Sequence, residues 1–190
     1  MRSPSLTFQP VTPDTWEDFL TVMGPRGGTG GCWCMYWRRT KQDFEAGTEG
    51  ENKDAMNAVV QSGRVPGIVG YVDGVPGGWI SAGPREDFPR LEKSRVLRPV
   101  DDQPVWSVTC FYVQKQFRKT GLSVDLLRAA VDYAGEQGAR IVEGYPVSPT
   151  KKGYADAFVW TGLTTVFLKA GFEEVERRSE TRPIMRYMIK

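Results

Sequence analysis

The clearest indication of the fold is an uncharged run rich in β-branched and aromatic residues, from Val105 to Val113. Such a run without charge on either face is typical of a strand buried at the centre of a sheet. Residues 114–120 are polar and basic, and Gly121 then opens a stretch with apolar residues at helical spacing up to Ala134. The pattern predicts a strand, a basic loop and a long buried helix capped by Gly138.

The basic loop meets the start of the predicted helix, where backbone N–H groups lack partners and the helix dipole favours an anion. Gly121 allows the backbone to approach a ligand closely, and Lys115, Arg118 and Lys119 add positive charge. This combination predicts a turn that binds a diphosphate. Neither the GxGxxG pattern of dinucleotide-binding domains nor the GxxxxGK[ST] pattern of P-loops is present.

Other elements follow from the same periodicities. Asp73-Gly74 between two apolar runs predicts a tight hairpin, and the charged segment 83–103 predicts a long surface connection. Strands are predicted at 6–11, 65–72, 75–82, 140–147, 172–178 and 184–189, and helices at 13–23, at 52–62 and from a cap at Thr161 to Ala170. With no repeat or linker, residues 1–190 are predicted to form one α/β domain with a mixed sheet.

Composition excludes several classes of function. A net charge of +2 is too balanced for a dedicated nucleic-acid binder, and the absence of histidine excludes Ser-His-Asp and Cys-His catalysis. Three cysteines do not make a disulfide framework, and Cys32 and Cys34 lack the further ligands of a zinc site, so no metal is expected. The sequence shows neither a membrane span nor a secretory signal, which predicts a cytoplasmic protein.

Two motifs resemble those of the GNAT acetyltransferase superfamily. Arg118-Lys119-Thr120-Gly121-Leu122-Ser123 resembles its acyl-CoA-binding motif Q/R-x-x-G-x-G/A, with serine at the last position. The segment 166–172, Val-Phe-Leu-Lys-Ala-Gly-Phe, resembles the family's late helix ending in Leu-Tyr-x-Lys-x-Gly-Phe. The order of predicted elements fits as well, so the resemblance covers nearly the whole chain. It implies a mostly antiparallel central sheet of six to seven strands with about four helices.

The resemblance also implies which residues would bind acetyl-CoA. In the family, amides of the central strand pair with the pantetheine and one amide polarises the thioester carbonyl; here that amide lies near Phe111 or Tyr112. Phe167, in the late helix, is implied to contact the cofactor at the same site. The residues implied are Cys110, Phe111, Tyr112 and Val113 for the pantetheine and Arg118, Lys119, Thr120, Gly121, Leu122 and Ser123 for the diphosphate.

The acid and the base are less determined. Phe167 stands where the family often has a tyrosine that protonates the departing thiolate, and Phe167 has no proton to give. Tyr154 is the preferred substitute, with Tyr145 and Tyr112 as alternatives. Glu143, a lone carboxylate in an apolar strand, is the preferred base because partial burial raises a carboxyl pKa. Its rivals are Glu86, Asp87 and Asp156.

The segment after the glycine-rich run 24–31 is expected to border the acceptor. Trp33, Tyr36 and Trp37 are predicted to stack on an apolar or cationic acceptor, although packing in the core is the competing interpretation. Arg38 and Arg39 are open to two roles, pairing with an acceptor carboxylate or forming a solvated face.

The resemblance implies an enzyme that transfers the acetyl group of acetyl-CoA to an amine of a small acceptor by direct attack in a ternary complex. The alternative is an acyl-CoA-binding or sensing module without catalysis on the same fold. The expected partner is a small-molecule amine, with no nucleic acid and no membrane, and a homodimer is left open.

Overall fold

Seven strands form one sheet in the computed structural model, which describes residues 4–149 and 159–190. They are β1 (Leu6–Pro10), β2 (Gly67–Val72), β3 (Val75–Pro84), β4 (Trp106–Val113), β5 (Ile141–Gly144), β6 (Glu173–Arg177) and β7 (Pro183–Met188). Their order is β1-β2-β3-β4-β5-β7-β6, and every neighbouring pair is antiparallel except β4 and β5. The predicted mixed, mostly antiparallel sheet is confirmed, with the uncharged run at its centre.

Six helices occur in the described residues. They are α1 (Trp16–Met23), α2 (Lys41–Ala46), α3 (Glu51–Gln61), α4 (Pro89–Glu92), α5 (Leu122–Glu136) and α6 (Thr164–Ala170). The sequence did not predict α2, whose start is capped by the Thr40 side chain accepting the Asp43 N–H. In the same two ranges, no helix is both long enough and apolar enough to cross a membrane.

Local chemistry explains the hairpin and the ends of α5. Asp73 and Gly74 both have positive φ, as a two-residue hairpin turn between β2 and β3 requires. Gly121 at the start of α5 and Gly138 just beyond its end also adopt positive φ. These positions match the predicted turn, helix start and helix end.

The start of α6 differs from its prediction. Leu163, not Thr161, is the residue that precedes the first turn, and the Thr161 hydroxyl instead accepts a hydrogen bond from Arg182. The strand before it is also shorter than predicted, because regular pairing of β5 ends at Gly144 and only an isolated bridge joins Val147 to Leu163.

Three apolar clusters hold these layers together. One cluster packs α5 and α6 on one face of the sheet. A second cluster packs α1, α3 and residues 33–35 against β2, β3 and β4. Cys110 of β4 belongs to this second cluster. A third joins Trp37 and the connection 88–97 to Tyr145 and Ile184. The long connection predicted at 83–103 is therefore partly a core element.

Candidate active site

The turn between β4 and α5 presents a row of free backbone donors. Lys119 and Gly121 both have left-handed backbone, with φ of +64° and +97°. Within the described chain, the N–H groups of residues 119–123 donate to no protein acceptor. Successive N–H groups in such a concave turn, placed at a helix N-terminus, attract an anion. The turn thus has the geometry of an anion site, and the diphosphate stays a prediction at this point.

A cavity of about 330 Å³ lies beside this turn. It is bounded on the far side by α6, so it is open to a ligand that runs between the two helices. Its lining is Val113, Phe117, Arg118, Lys119, Gly121, Leu122, Ser123, Val124, Leu163, Thr165, Val166 and Lys169. Five of the six residues predicted for the diphosphate line it, all but Thr120.

The residues that the sequence interpretation missed come from α6 and the residue before it. Leu163, Thr165, Val166 and Lys169 form the opposite wall of the cavity, and Lys169 adds a positive charge there. The spacing of 165, 166 and 169 is one face of a helix. That face was visible in the sequence, but nothing in the sequence indicated that it turns towards the start of α5.

Beside the cavity, β4 and β5 separate. Their parallel pairing runs from Trp106 opposite Val142 only to Val108 opposite Gly144, while β4 continues to Val113. At the open edge, the Phe111 N–H donates to the Trp160 carbonyl at 2.6 Å. The Phe111 N–H, one of the two amides predicted to polarise a thioester, therefore points away from β3. It already donates a hydrogen bond to a carbonyl oxygen, that of Trp160.

The direction of the backbone N–H groups along β4 changes which residues can pair with the pantetheine. Backbone N–H groups point to opposite edges at successive residues. Because the Phe111 N–H faces the open edge and the Gln114 N–H donates to Gly77 on the other side, the N–H groups of Cys110 and Tyr112 face β3. Only Phe111 and Val113 can offer amides to a ligand at this edge.

Phe167 lies beneath the site, not in its lining. Its ring is fully buried and packs edge-on against Phe111 and Phe172, with centroids 5.9 and 5.1 Å away. A Cβ added to Gly144 would overlap the Phe167 ring, and one added to Gly162 would press on the same ring. These two glycines leave space for the Phe167 ring, which fills the core beneath the cavity and does not line it.

Glu143 is not a lone carboxylate, and that prediction is wrong. The side chain is only 1% exposed, and its Oε1 accepts from Arg85 Nη1 (3.0 Å) and the Tyr145 hydroxyl (2.8 Å). Its Oε2 accepts from Arg186 Nε at 2.7 Å. Burial and the nearby Glu143 raise the pKa of Tyr145 well above its ordinary value, so this phenol keeps its proton. The assignment of Glu143 as the base stays a prediction that this geometry does not favour.

Arg186 extends the network to Asp101, which it binds through both terminal nitrogens at 2.6 and 3.0 Å. These hydrogen bonds lower the pKa of Asp101 below its ordinary value. A carboxyl group whose pKa is lower in the folded state stabilises the fold above its unfolded pKa, about 3.9, and loses that contribution as pH falls through the folded pKa.

We therefore expect Asp101→Asn to lower the thermal midpoint at pH 7, and the difference from the wild type to shrink as pH falls below about 4. Melting curves between pH 3 and pH 7 check this. Asp102→Asn, at the exposed neighbouring position, is the matched control and should leave the midpoint nearly unchanged. A difference between wild type and Asp101→Asn that is equal at pH 3 and pH 7 would contradict the ion pair.

The other acid and base candidates are distributed differently. Asp87 pairs with Arg38 at 3.1 Å and with Arg64 at 3.2 Å, and Glu86 is exposed. Tyr154 and Asp156 lie outside the described residues. The Arg38 side chain is buried and bound to Asp87, so it has neither of its predicted roles. The Arg39 guanidinium donates a hydrogen bond to Asn52 Oδ1.

Two of the three predicted acceptor residues lie near the open edge. The Tyr36 and Trp37 rings pack on Trp160, with centroids 5.1 and 6.0 Å away, and Trp160 is the residue whose carbonyl meets Phe111. Trp37 is nevertheless mostly core, and Tyr36 is half-buried under the Arg90 guanidinium at 3.7 Å.

Trp33 is also a core residue. Its exposed rim borders a separate cavity of about 680 Å³ between α1, the glycine-rich run and the start of α3. Trp33 lies away from the open edge beside Phe111, and its stacking on the acceptor stays a prediction.

The structure brings together two cysteines that the sequence keeps far apart. The Cys34 and Cys110 sulfurs are 3.2 Å apart, and the Trp79 indole N–H donates to Cys34 Sγ at 3.0 Å. Burial raises the pKa of Cys32 to about 12. Among residues 4–149 and 159–190, no group of three or more histidine, cysteine or acidic side chains is placed to hold a metal.

Comparison with known proteins decides the family. The model of the acetyltransferase (GNAT) family matches residues 32–149, which include the whole of β4 and α5. The chain belongs to the GNAT acetyltransferase family. No curated protein is significantly similar to it in sequence.

Solved GNAT structures share the fold at low sequence identity. PaiA N-acetyltransferase from Thermoplasma acidophilum, in complex with coenzyme A, is 12% identical with a TM-score of 0.52, covering 97% of this chain and 99% of its own. The aminoglycoside N-acetyltransferase AAC(6')-Iy in complex with CoA is 17% identical with a TM-score of 0.57, covering 94% of each chain. YncA from Salmonella typhimurium, a putative acetyltransferase with its cofactor acetyl-CoA, is 14% identical with a TM-score of 0.52, covering 97% and 94%.

Proposed function

We propose that this GNAT protein transfers the acetyl group of acetyl-CoA to a primary amine of a small acceptor, with both substrates bound at once. The observation that carries the proposal is the cavity of about 330 Å³ between the free amides of the α5 turn and α6, next to the edge where β4 leaves β5. Family membership supports acyl transfer, and CoA is bound in several structures of the same fold.

The chain's own groups fit the parts of such a donor. The N–H groups of residues 119–123 and the Lys169 ammonium would hold the diphosphate, while Val113 and Val166 would contact the pantetheine. The Phe111 N–H would donate to the thioester carbonyl oxygen in place of the Trp160 carbonyl, and this hydrogen bond would strengthen as negative charge develops on that oxygen.

The acceptor would approach from the side of Tyr36 and Trp160. Its neutral amine attacks the thioester carbon and a C–N bond forms. The C–S bond then breaks, CoA leaves as its thiolate, and the nitrogen gives its extra proton to water. Holding both reactants together removes the entropic cost of a bimolecular encounter. Tyr154 stays the proposed donor of a proton to the thiolate.

The experiment that tests this function is thiol release from acetyl-CoA in the presence of separate panels of amino acids, arylalkylamines, polyamines and aminoglycosides. Mass spectrometry of the acceptor should show the gain of one acetyl group. Binding of acetyl-CoA with no thiol released in the presence of any of these amines would favour the alternative, a binding module without catalysis. The absence of a hydroxyl group at Phe167 is also consistent with that alternative.

Phe167→Tyr is expected to leave acetyl transfer no faster than in the wild type and to lower stability by about 1–3 kcal/mol, because the added hydroxyl is buried among aromatic rings. Thermal melts and initial rates of thiol release check both parts. Leu168→Tyr, at the exposed neighbouring position, is the control and should melt near the wild type. A tenfold faster reaction in Phe167→Tyr would show instead that this position still reaches the leaving thiolate.

A further inference from the structure

Glu143 sits where β4 and β5 are about to separate. It is paired with Ser107 of β4, and one further pair, Val108 opposite Gly144, follows before the strands diverge. Three residues beyond Val108, the Phe111 N–H faces the open edge. The position of this carboxylate along the strands is therefore next to the point that determines how wide the acyl-CoA site opens.

Through its contacts, Glu143 connects β5 to β4, to β7 and to the residue that follows β3. Tyr145 donates its hydroxyl hydrogen bond to Glu143 and lies 2.8 Å from the Ser107 hydroxyl, so it bridges β5 to β4. Arg186 connects Glu143 to β7, and Arg85 connects it to the residue directly after β3. Each polar atom in this buried network has a partner, which is the condition under which such networks fix a single arrangement.

The same network holds the segment that contacts the acceptor side. Arg85 also binds Glu92 at 2.6 Å and the Leu97 carbonyl at 2.8 Å, which fixes the connection after β3. From this connection, Arg90 donates to the Tyr36 carbonyl at 3.0 Å and covers the Tyr36 ring. Tyr36 in turn packs on Trp160.

We infer that Glu143 is a positioning residue: through Arg85, Arg186 and Tyr145 it fixes the divergence of β4 and β5 and thus the open edge that carries the Phe111 amide. The inference rests on the proposed function, since it assigns the edge to acetyl-CoA. Both carboxylate oxygens are engaged by cations or a phenol, so Glu143 transfers no proton to or from substrate. A neutral side chain here would leave Arg85 and Arg186 without their shared anion.

The test is calorimetric titration of Glu143→Gln with acetyl-CoA. A positioning role predicts a Kd about tenfold higher than in the wild type, whereas a base, or a residue that only stabilises the fold, leaves the Kd of the folded protein unchanged. Glu92→Gln removes an exposed partner of the same Arg85 and is the matched control, with an expected change below twofold.

Tyr145→Phe and Ser107→Ala supply a second test that keeps the buried charges. Each should raise the acetyl-CoA Kd about threefold, and the double variant should do no more than either alone, because both remove the same bridge. Unchanged Kd values in Glu143→Gln and in both of these variants would overturn the inference. A wild type that does not bind acetyl-CoA would overturn the proposed function, and the inference with it.

Discussion

Gly121→Trp is expected to weaken acetyl-CoA binding at least 100-fold, equivalent to about 2.8 kcal/mol. A Cβ added to Gly121 meets no protein atom within 4 Å, so the new side chain would project into the space beside the free amides. Gly121 also lines the cavity itself. The indole would occupy the place proposed for the diphosphate, and calorimetric titration measures the loss.

Gly138→Trp is the matched control for this variant. Gly138 follows the other end of α5, has φ of +85° against +97° for Gly121, and also has no atom within 4 Å of an added Cβ. Both variants therefore pay a similar cost for placing a side chain on left-handed backbone, about 1–2 kcal/mol. Equal acetyl-CoA affinities in the two variants would contradict the placement of the donor at the start of α5.

Gly144→Ala is expected to destabilise the fold by about 2–3 kcal/mol and to lower the melting temperature by roughly 5–10 °C. The added methyl group would overlap the ring of Phe167, a residue of α6. This ring is fully buried against β5 and packs on Phe111 and Phe172. The ring cannot swing into solvent to make room. Denaturant or thermal unfolding measures the effect.

Phe167→Leu added to Gly144→Ala should recover part of the lost stability, because the smaller side chain leaves room for the methyl group. Gly135→Ala within α5 is the control, and here the added methyl group is expected to raise the stability of the fold. An added Cβ there meets Ile189 at an ordinary 3.5 Å, so the variant should gain about 0.5–1 kcal/mol. A stable Gly144→Ala protein would show that Phe167 does not seal the space between β5 and α6.

Local patterns predicted the parts of the fold that depend on neighbouring residues. The absence of charge from 105 to 113 predicted the central strand, Asp73-Gly74 predicted the hairpin, and the stripe ending at Ala134 predicted α5. The free amides of the turn before α5 followed from the same reasoning, because helix starts leave donors unpaired whatever packs around them.

Contacts between distant segments were beyond such patterns. Glu143 reads as a lone charge in its strand, yet Arg85 and Arg186 neutralise it from positions 58 and 43 residues away. Cys110 likewise meets Cys34 across 76 residues. Burial of Trp33 and Trp37 depends on how residues 32–39 fold over the sheet. The aromatic sequence of this segment alone therefore did not distinguish core packing from acceptor binding.

Amide NMR of the uniformly ¹⁵N-labelled protein during titration with acetyl-CoA tests the proposed donor site residue by residue. We expect the largest shifts at residues 119–123, whose N–H groups have no protein acceptor in the described chain, and at Phe111, whose N–H exchanges one carbonyl for another. Shifts confined to the cavity beside Trp33, or none at all at millimolar acetyl-CoA, would contradict the proposed donor site.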